Sequence, residues 1–592
     1  MAHEEQLTND IPEVVLSLEL DPAFDRVLDP EDRLSEAVRH FISERLSDVL
    51  ETLGIPGKPK VEINALDEYP ILEGRFLRVI VNGELCRYSA ELLQRVHSYV
   101  TGVPIDPGTD PKKILALLKG LMAQRAEIAE SSLAEFLSLA CIEAIKREPS
   151  VLLDSAQVAT YLASLTDASG DAFSEMKNWP PAETWLRTVL SKVLSLRISI
   201  ADKRAVVELL REGITKEASP EDVAEDLIAV LSPNVVEIQL PEEYLKQITT
   251  SDAGDGQGSF AMMRDGLFYE LGLHYPDFQF STTENLKPNS FSFKVNHLST
   301  MPRNGLHPNQ CLVNDTVDRL TLLNIQGTAT MNPANAVECS IVDSSYKEVA
   351  ESAGLTTWDQ VGYLVLSFAA DLRENSASFV HRRAVQNYLD QLGQAFPATV
   401  DTVQKRSSIQ QLTRVLRSLI AEEISIRNFR LVLELMLDYD YIVADPSKNI
   451  IFDDRLPTAE QPDENWLSDP INLASFIRAG MKRYVSHKYT RGGNTLVVYL
   501  LAPEIEGILS EHQKKRICLD KDLCDRILEA VRAEVGTLPP SASVPTILTS
   551  IEVRPYFREV ILHEFPRLPV VCYQELSPDL NIQPIARISL NT

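Results

Sequence analysis

No apolar run in this sequence approaches the ~20 residues that a bilayer-spanning helix needs. The most apolar stretches, such as Val361–Leu372 (VGYLVLSFAADL), are short and end in charge. No transmembrane segment is expected. The polar, acidic start MAHEEQLTND lacks the character of a signal peptide, so a cytoplasmic chain is the expectation. Positive charge is also scarce: 57 Lys and Arg stand against 85 Asp and Glu, a formal net charge of -28. Such a surface repels phosphate backbones and anionic membranes, which argues against nucleic acid as a partner. The seven cysteines (Cys86, Cys141, Cys311, Cys339, Cys518, Cys524, Cys572) are scattered, form no Cys-x-x-Cys and are odd in number. Reduced, mostly buried thiols are the reading.

Catalytic and cofactor signatures are missing as well. The ten histidines are dispersed without zinc-ligand spacing, and there is no Gly-x-Ser-x-Gly. Gly254-Asp255-Gly256-Gln257-Gly258 has the glycines of a phosphate loop but not its Lys, so it reads as a flexible loop before a helix at Phe260. The His381-Arg382-Arg383 triplet offers positive charge for an anion, but the favoured reading is the exposed side of a helix that carries Phe379, Val385 and Leu389. No catalytic residue, cofactor or metal is expected. Hydrophobic content of 44% and charged content of 24% are ordinary for a globular chain. A length of 592 residues suggests about three to five domains.

What is present is a repeat. SLRISIADKRAVVELL (Ser195–Leu210) returns as EEISIRNFRLVLELM (Glu422–Met436), with Ile424 falling 226 residues after Ile198. At that offset Leu186, Val189, Leu190, Val193 and Leu194 meet Leu412, Val415, Leu416, Leu419 and Ile420, one face of an amphipathic helix. Asp202 and Asn428 follow as helix N-caps. Each copy therefore reads helix, β-prone turn, helix, the pattern of a winged-helix-like unit. On so acidic a chain a packing module is favoured over a nucleic-acid reader; a transcriptional regulator remains the alternative. The repeat extends backwards. Phe41–Pro56 matches Phe260–Pro276 with Gly54 on Gly272, FLRVIVNGE matches SFSFKVNHL, and Leu133–Ile145 matches Gly362–Glu374.

Beyond about residue 460 the second copy continues alone. Asn494–Leu509 reads strand then helix, and Pro545–Leu576 reads strand, helix, strand, a βαβ unit in a small parallel or mixed sheet. An enzyme using this region would need polar groups near Ser550 and Tyr573, where no motif stands. The fold class is α/β (α+β) and multidomain: two tandem copies, then a C-terminal α/β domain. The expected boundaries are 12–178 and 179–235 for the first copy, 236–405 and 406–460 for the second, and 461–592 for the C-terminal domain. Linkers are expected at Ile248–Ser259, Asp453–Trp466 and Gly536–Pro545.

EEISIRNFRLVLELM together with VRPYFREVILHEFPRLPVVCYQEL resembles the cytosolic region of the export-gate proteins of bacterial flagella and type III secretion systems, the FHIPEP family. LKPNSFSFKVNHL, GLHPNQCLVND, AESAGLTTWDQVGYLVLSF and HRRAVQNYLDQL extend the resemblance over roughly residues 236–592. The family's membrane half is not matched; a degenerate copy of the soluble half stands there instead. The resemblance implies a non-enzymatic docking platform for export substrates or their chaperones, and a homo-oligomer, in the family a ring. It also implies a partner-binding cleft, for which the matching residues are Asp359 with Trp358 and Tyr363 as apolar neighbours. A core role for Trp358 is the competing reading.

Overall fold

A computed structural model describes residues 11–66, 76–104, 111–124, 126–169, 182–233, 235–250, 256–444, 469–515, 519–535 and 545–590. The chain divides into two compact units, one of Met1–Arg264 with Tyr275–Ser378 and one of Asp265–His274 with Phe379–Thr592.

Among the described residues the first unit holds three sheets, two of which share one topology. Strands β1 (Glu13–Leu20), β2 (Lys58–Ala65), β3 (Leu77–Val81) and β4 (Glu84–Cys86) are ordered β2-β1-β3-β4. Strands β5 (Val235–Leu240), β6 (Asp277–Thr282), β7 (Ser290–Val295) and β8 (Leu298–Ser299) are ordered β6-β5-β7-β8, with β9 (Arg303–Asn304) paired to β7. In both sheets the first two strands are parallel and the rest antiparallel. The leading strands β1 and β5 alternate: Val14, Leu16, Leu18 and Leu20 are buried in one, and Val236, Ile238 and Leu240 in the other. Both hairpins turn on an asparagine in the left-handed region, Asn82 at φ 50 and Asn296 at φ 56. The second sheet begins at Val235. A third sheet, of β10 (Gln310–Val313), β11 (Gly327–Met331), β12 (Glu338–Asp343) and β13 (Thr357–Trp358), is ordered β11-β12-β10-β13.

The helix-turn-helix repeat is also real in structure. Helices Ala182–Ser195 and Ile409–Ala421 bury the aligned apolar faces, and the turns after them place Arg197 and Glu423 at φ 60 and 55. The turn is extended but joins no ladder. Its second isoleucine donates its amide to an earlier helix end: Ile200 to Leu53 at 2.8 Å, and Ile426 to Leu271 at 2.9 Å. The following glycines cap those helices in the left-handed region, Gly54 at φ 75 and Gly272 at φ 77. A Cβ there would stand 2.6 Å from the Ala201 Cα and 2.3 Å from the Arg427 nitrogen, so both positions need glycine twice over. Among the described residues no wing hairpin follows the Lys203–Thr215 helix. Ser219 caps and Pro220 opens a further helix, Pro220–Leu231, so the chain packs as helices rather than turning back as a strand pair.

One loop expectation needs correction. The glycine stretch is not a loop throughout: the Glu242–Thr250 helix precedes it, and Gly256, Gln257 and Gly258 already belong to the Gly256–Leu271 helix. Gly254 and Asp255, the linker Asp453–Trp466, Gly536–Val544 and Cys518 lie outside the described residues. Of the other cysteines, Cys524 is half-buried and the rest are buried and free.

In the second unit, β14 (Thr495–Leu501), β15 (Thr546–Thr549), β16 (Val570–Cys572) and β17 (Asn581–Ile588) form an all-parallel sheet ordered β16-β15-β14-β17. The Arg554–Leu562 helix crosses from β15 to β16, as the βαβ reading expects.

His381 proves to be the N-cap of the Arg382–Ala395 helix: its Nδ1 accepts the Ala384 amide at 3.3 Å. Burial, with help from Arg383 and Arg417, pushes its pKa down to about 4. The unfolded chain takes up this proton near the ordinary value of 6.5, whereas the folded chain resists until about 4. The cap's contribution is therefore complete above pH 6.5 and lost as pH falls from there to about 4. His381→Asn keeps an acceptor cap without a titrating group. Its melting temperature is expected to fall less steeply than wild type between these pH values. Parallel slopes would remove His381 from the acid response.

Candidate functional site

The strand-to-helix corner Thr357–Tyr363 is assembled by local chemistry. Thr357 and Trp358 form an edge strand against β10, with Leu312 opposite Trp358 and Val313 opposite Thr357. The chain then turns into the Gln360–Glu374 helix, whose N-cap is Asp359. The Asp359 carboxylate accepts the Gly362 amide at 2.9 Å, and its carbonyl accepts the Tyr363 amide at 2.8 Å. Gln360, buried just beyond, donates Nε2 to the Leu306 carbonyl at 2.9 Å and pins the first turn to the loop before β10.

The structure brings all three sequence-derived residues together here, each half-buried. Trp358 and Tyr363 pack with Ile341 and Leu366 on a small core of Leu306, Leu312 and Cys339. The Tyr363 ring meets the edge of Phe291 at 6.3 Å between centroids. Burial raises the Tyr363 pKa, against the opposing pull of Arg303. Trp358 is thus neither wholly core nor wholly exposed. Asp359 is not a loose surface anion, because the cap restrains it.

Sequence reasoning missed what holds this helix from its other end. Asp371 accepts from the Arg303 guanidinium and from the Thr300 hydroxyl, the latter at 2.9 Å. Glu374 faces Arg95 and Arg147, each at 3.7 Å. Burial drives the Asp371 pKa up despite Arg303 and Arg95. At Glu374 burial works in the same upward direction, but Arg95, Arg147, Arg303 and Arg197 outweigh it and hold the carboxyl down to about 2. Three of these arginines come from the first copy. No sequence spacing links them to Glu374; the one available signal was the isolated acids in the apolar run Leu366–Leu372 and just past it. The helix so anchored carries the corner of Trp358, Asp359 and Tyr363 at its N-terminal end. Among the described residues no group of three or more side chains is placed to hold a metal ion, and no helix is long and apolar enough to cross a membrane.

Comparison with known proteins gives consistent results. A family model described as the FHIPEP family matches residues 213–581. Low calcium response locus protein D of Yersinia pestis is 26% identical over 372 residues, covering 62% of this chain and 48% of that protein. The flagellar biosynthesis protein FlhA of Bacillus subtilis is 21% identical over 397 residues, covering 66% and 54%. The chain spans about half the length of the curated relatives it matches. Among solved structures, the Chlamydia pneumoniae CdsV protein superposes with a TM-score of 0.51 at 25% identity, covering 60% of this chain and 98% of CdsV. CdsV has also been solved in complex with a second protein, CdsO.

Proposed function

This chain belongs to the FHIPEP family, and we propose that it is a non-enzymatic docking platform of a type III secretion or flagellar export system. In this reading the Trp358–Asp359–Tyr363 corner receives export chaperones or chaperone–substrate complexes, and the chain works as a homo-oligomer. The observation that supports it most is that the family match covers residues 213–581, a range that includes the corner. Half-buried aromatics beside a restrained carboxylate are the composition of an interface anchor. The fixed helix beneath them lowers the ordering cost of binding.

The test must separate binding from folding. Asp359→Ala would remove a cap and cost about 1 kcal/mol of stability. Asp359→Asn keeps the cap and removes only the charge. Capture of a purified chaperone–substrate complex from the same secretion system is expected to weaken about tenfold, which is ~1.4 kcal/mol of binding energy, with melting unchanged. Full capture by Asp359→Asn, and by Trp358→Leu checked for an intact melt, would exclude the corner as the site. Sedimentation velocity addresses assembly: a purely monomeric chain at tens of micromolar would count against the oligomer.

A further inference from the structure

We infer that the turn Leu196–Ala201 and its repeat Glu422–Arg427 are one docking element used twice. The first is seated by the β7–β8 hairpin of the second copy, the second by the Lys482–Thr490 helix of the C-terminal domain. The first copy is thereby an internal partner, bound in cis to the second copy's α/β sheet. This inference does not depend on the proposed function.

Neither turn satisfies all of its own backbone groups. Each turn has an extended Ile-Ser-Ile segment after a left-handed residue. One side is sealed by its own copy through the Ile200 and Ile426 amides. The other side exposes a carbonyl and an amide, on Arg197 and Ser199 in one turn and on Glu423 and Ser425 in the other. These positions correspond at the 226-residue offset. Both serines are buried, so the groups need partners.

In the first unit the hairpin tip supplies them. The His297 amide donates to the Arg197 carbonyl at 3.2 Å, and the Ser199 amide donates to His297 Nδ1 at 3.0 Å. Asn296 adds a bond from Nδ2 to the Leu196 carbonyl at 2.7 Å. In the second unit two side chains on a helix do the same work. Lys488 Nζ donates to the Glu423 carbonyl at 2.6 Å, and the Ser425 amide donates to the Tyr484 hydroxyl at 3.2 Å. A β-turn and a helix have no common geometry, yet they serve the same carbonyl and the same amide. The recognised object is therefore the turn itself.

Selectivity comes from one position. Where the second turn has Glu422, paired with Arg478 and Arg554 of the C-terminal domain, the first has Leu196, which cannot pair with them. The first copy instead brings Arg197, Arg95 and Arg147 toward Glu374. Further bonds close the same seam: Lys146 Nζ to the Ser299 carbonyl at 3.1 Å, and Asn304 Nδ2 to the Ser98 carbonyl at 2.7 Å. Leu298 and Met301 join the first copy's hydrophobic core. This explains how the first copy stands without a C-terminal domain of its own.

Amide hydrogen exchange on the full chain tests the inference. His297→Ala is expected to speed exchange of the Ser199 amide at least about tenfold and leave Ser425 unchanged. Tyr484→Phe is expected to do the reverse. His297→Asn, which restores an acceptor near the Nδ1 position, should restore Ser199 protection and guards against a merely misfolded alanine variant. Unchanged Ser199 exchange in His297→Ala would overturn the inference, as would equal loosening of both turns in either variant.

Discussion

Arg554→Met is expected to destabilise the second unit by about 3–5 kcal/mol, the usual cost of stranding a buried partner. Arg554 and Arg478 are each 1% exposed, and Glu575 is fully buried. Arg554 donates from Nη1 to both Glu422 oxygens at 2.8 and 2.7 Å and from Nη2 to Ser475 at 3.0 Å. Arg478 reaches Glu575 at 2.6 Å and Glu422 at 2.9 Å. Arg478 and Arg554 thus pair with Glu422 and Glu575 in one buried cluster, with the Arg558 charge also acting on Glu422, and removing Arg554 takes away the two shortest bonds to the Glu422 carboxylate. At Glu422 burial opposes ionisation, yet Arg478 and Arg554 hold its carboxyl down to about 2. Because that value lies below the ordinary 4.5, the contribution is present above pH 4.5 and lost as pH falls toward 2. Adding Glu422→Gln to Arg554→Met leaves the Arg478–Glu575 pair matched. The double variant should therefore lose less than the sum of the singles, by about 1–3 kcal/mol. Calorimetry of wild type, both singles and the double measures this. A single variant that melts as wild type does would show that the cluster contributes nothing to stability.

The second large effect is at Leu416. This side chain is fully buried in the Ile409–Ala421 helix with Leu412, Val415, Leu419 and Ile420. Losing a buried leucine costs about 2–5 kcal/mol through transfer and cavity terms. An aspartate there adds an unpaired charge, so Leu416→Asp is expected to abolish cooperative unfolding of the second unit. Leu190, its repeat equivalent, is equally buried, so Leu190→Asp should do the same to the first unit. A wild-type calorimetric profile from either variant would place that face outside the core.

The candidate corner was partly legible in advance. Trp358, Asp359 and Tyr363 are close in sequence, and a strand-to-helix junction kept them close in space. Their roles were not legible. Whether an aspartate before a helix caps it or faces a partner depends on a backbone amide three residues on, and half-burial of an indole depends on what packs from β10 and β12. The cap role of His381 was hidden for the same reason.

By itself the sequence determined what periodicity and local stereochemistry carry. Helix faces spaced by three and four identified Leu412, Leu416 and Leu419 as core; the 226-residue repeat predicted two equivalent turns; apolar runs flanking a helix predicted the β15–β16 crossover. Hydrophobic burial needs only one-dimensional patterning to be read, because any apolar partner will serve. Tertiary structure alone decided the pairings: Glu374 with arginines far back in the first copy, Glu422 with Arg478 and Arg554, His297 with Ser199. Charge pairs and hydrogen bonds act over a few ångströms and demand particular partners. Their identity is therefore settled only when the folded chain brings distant segments within reach.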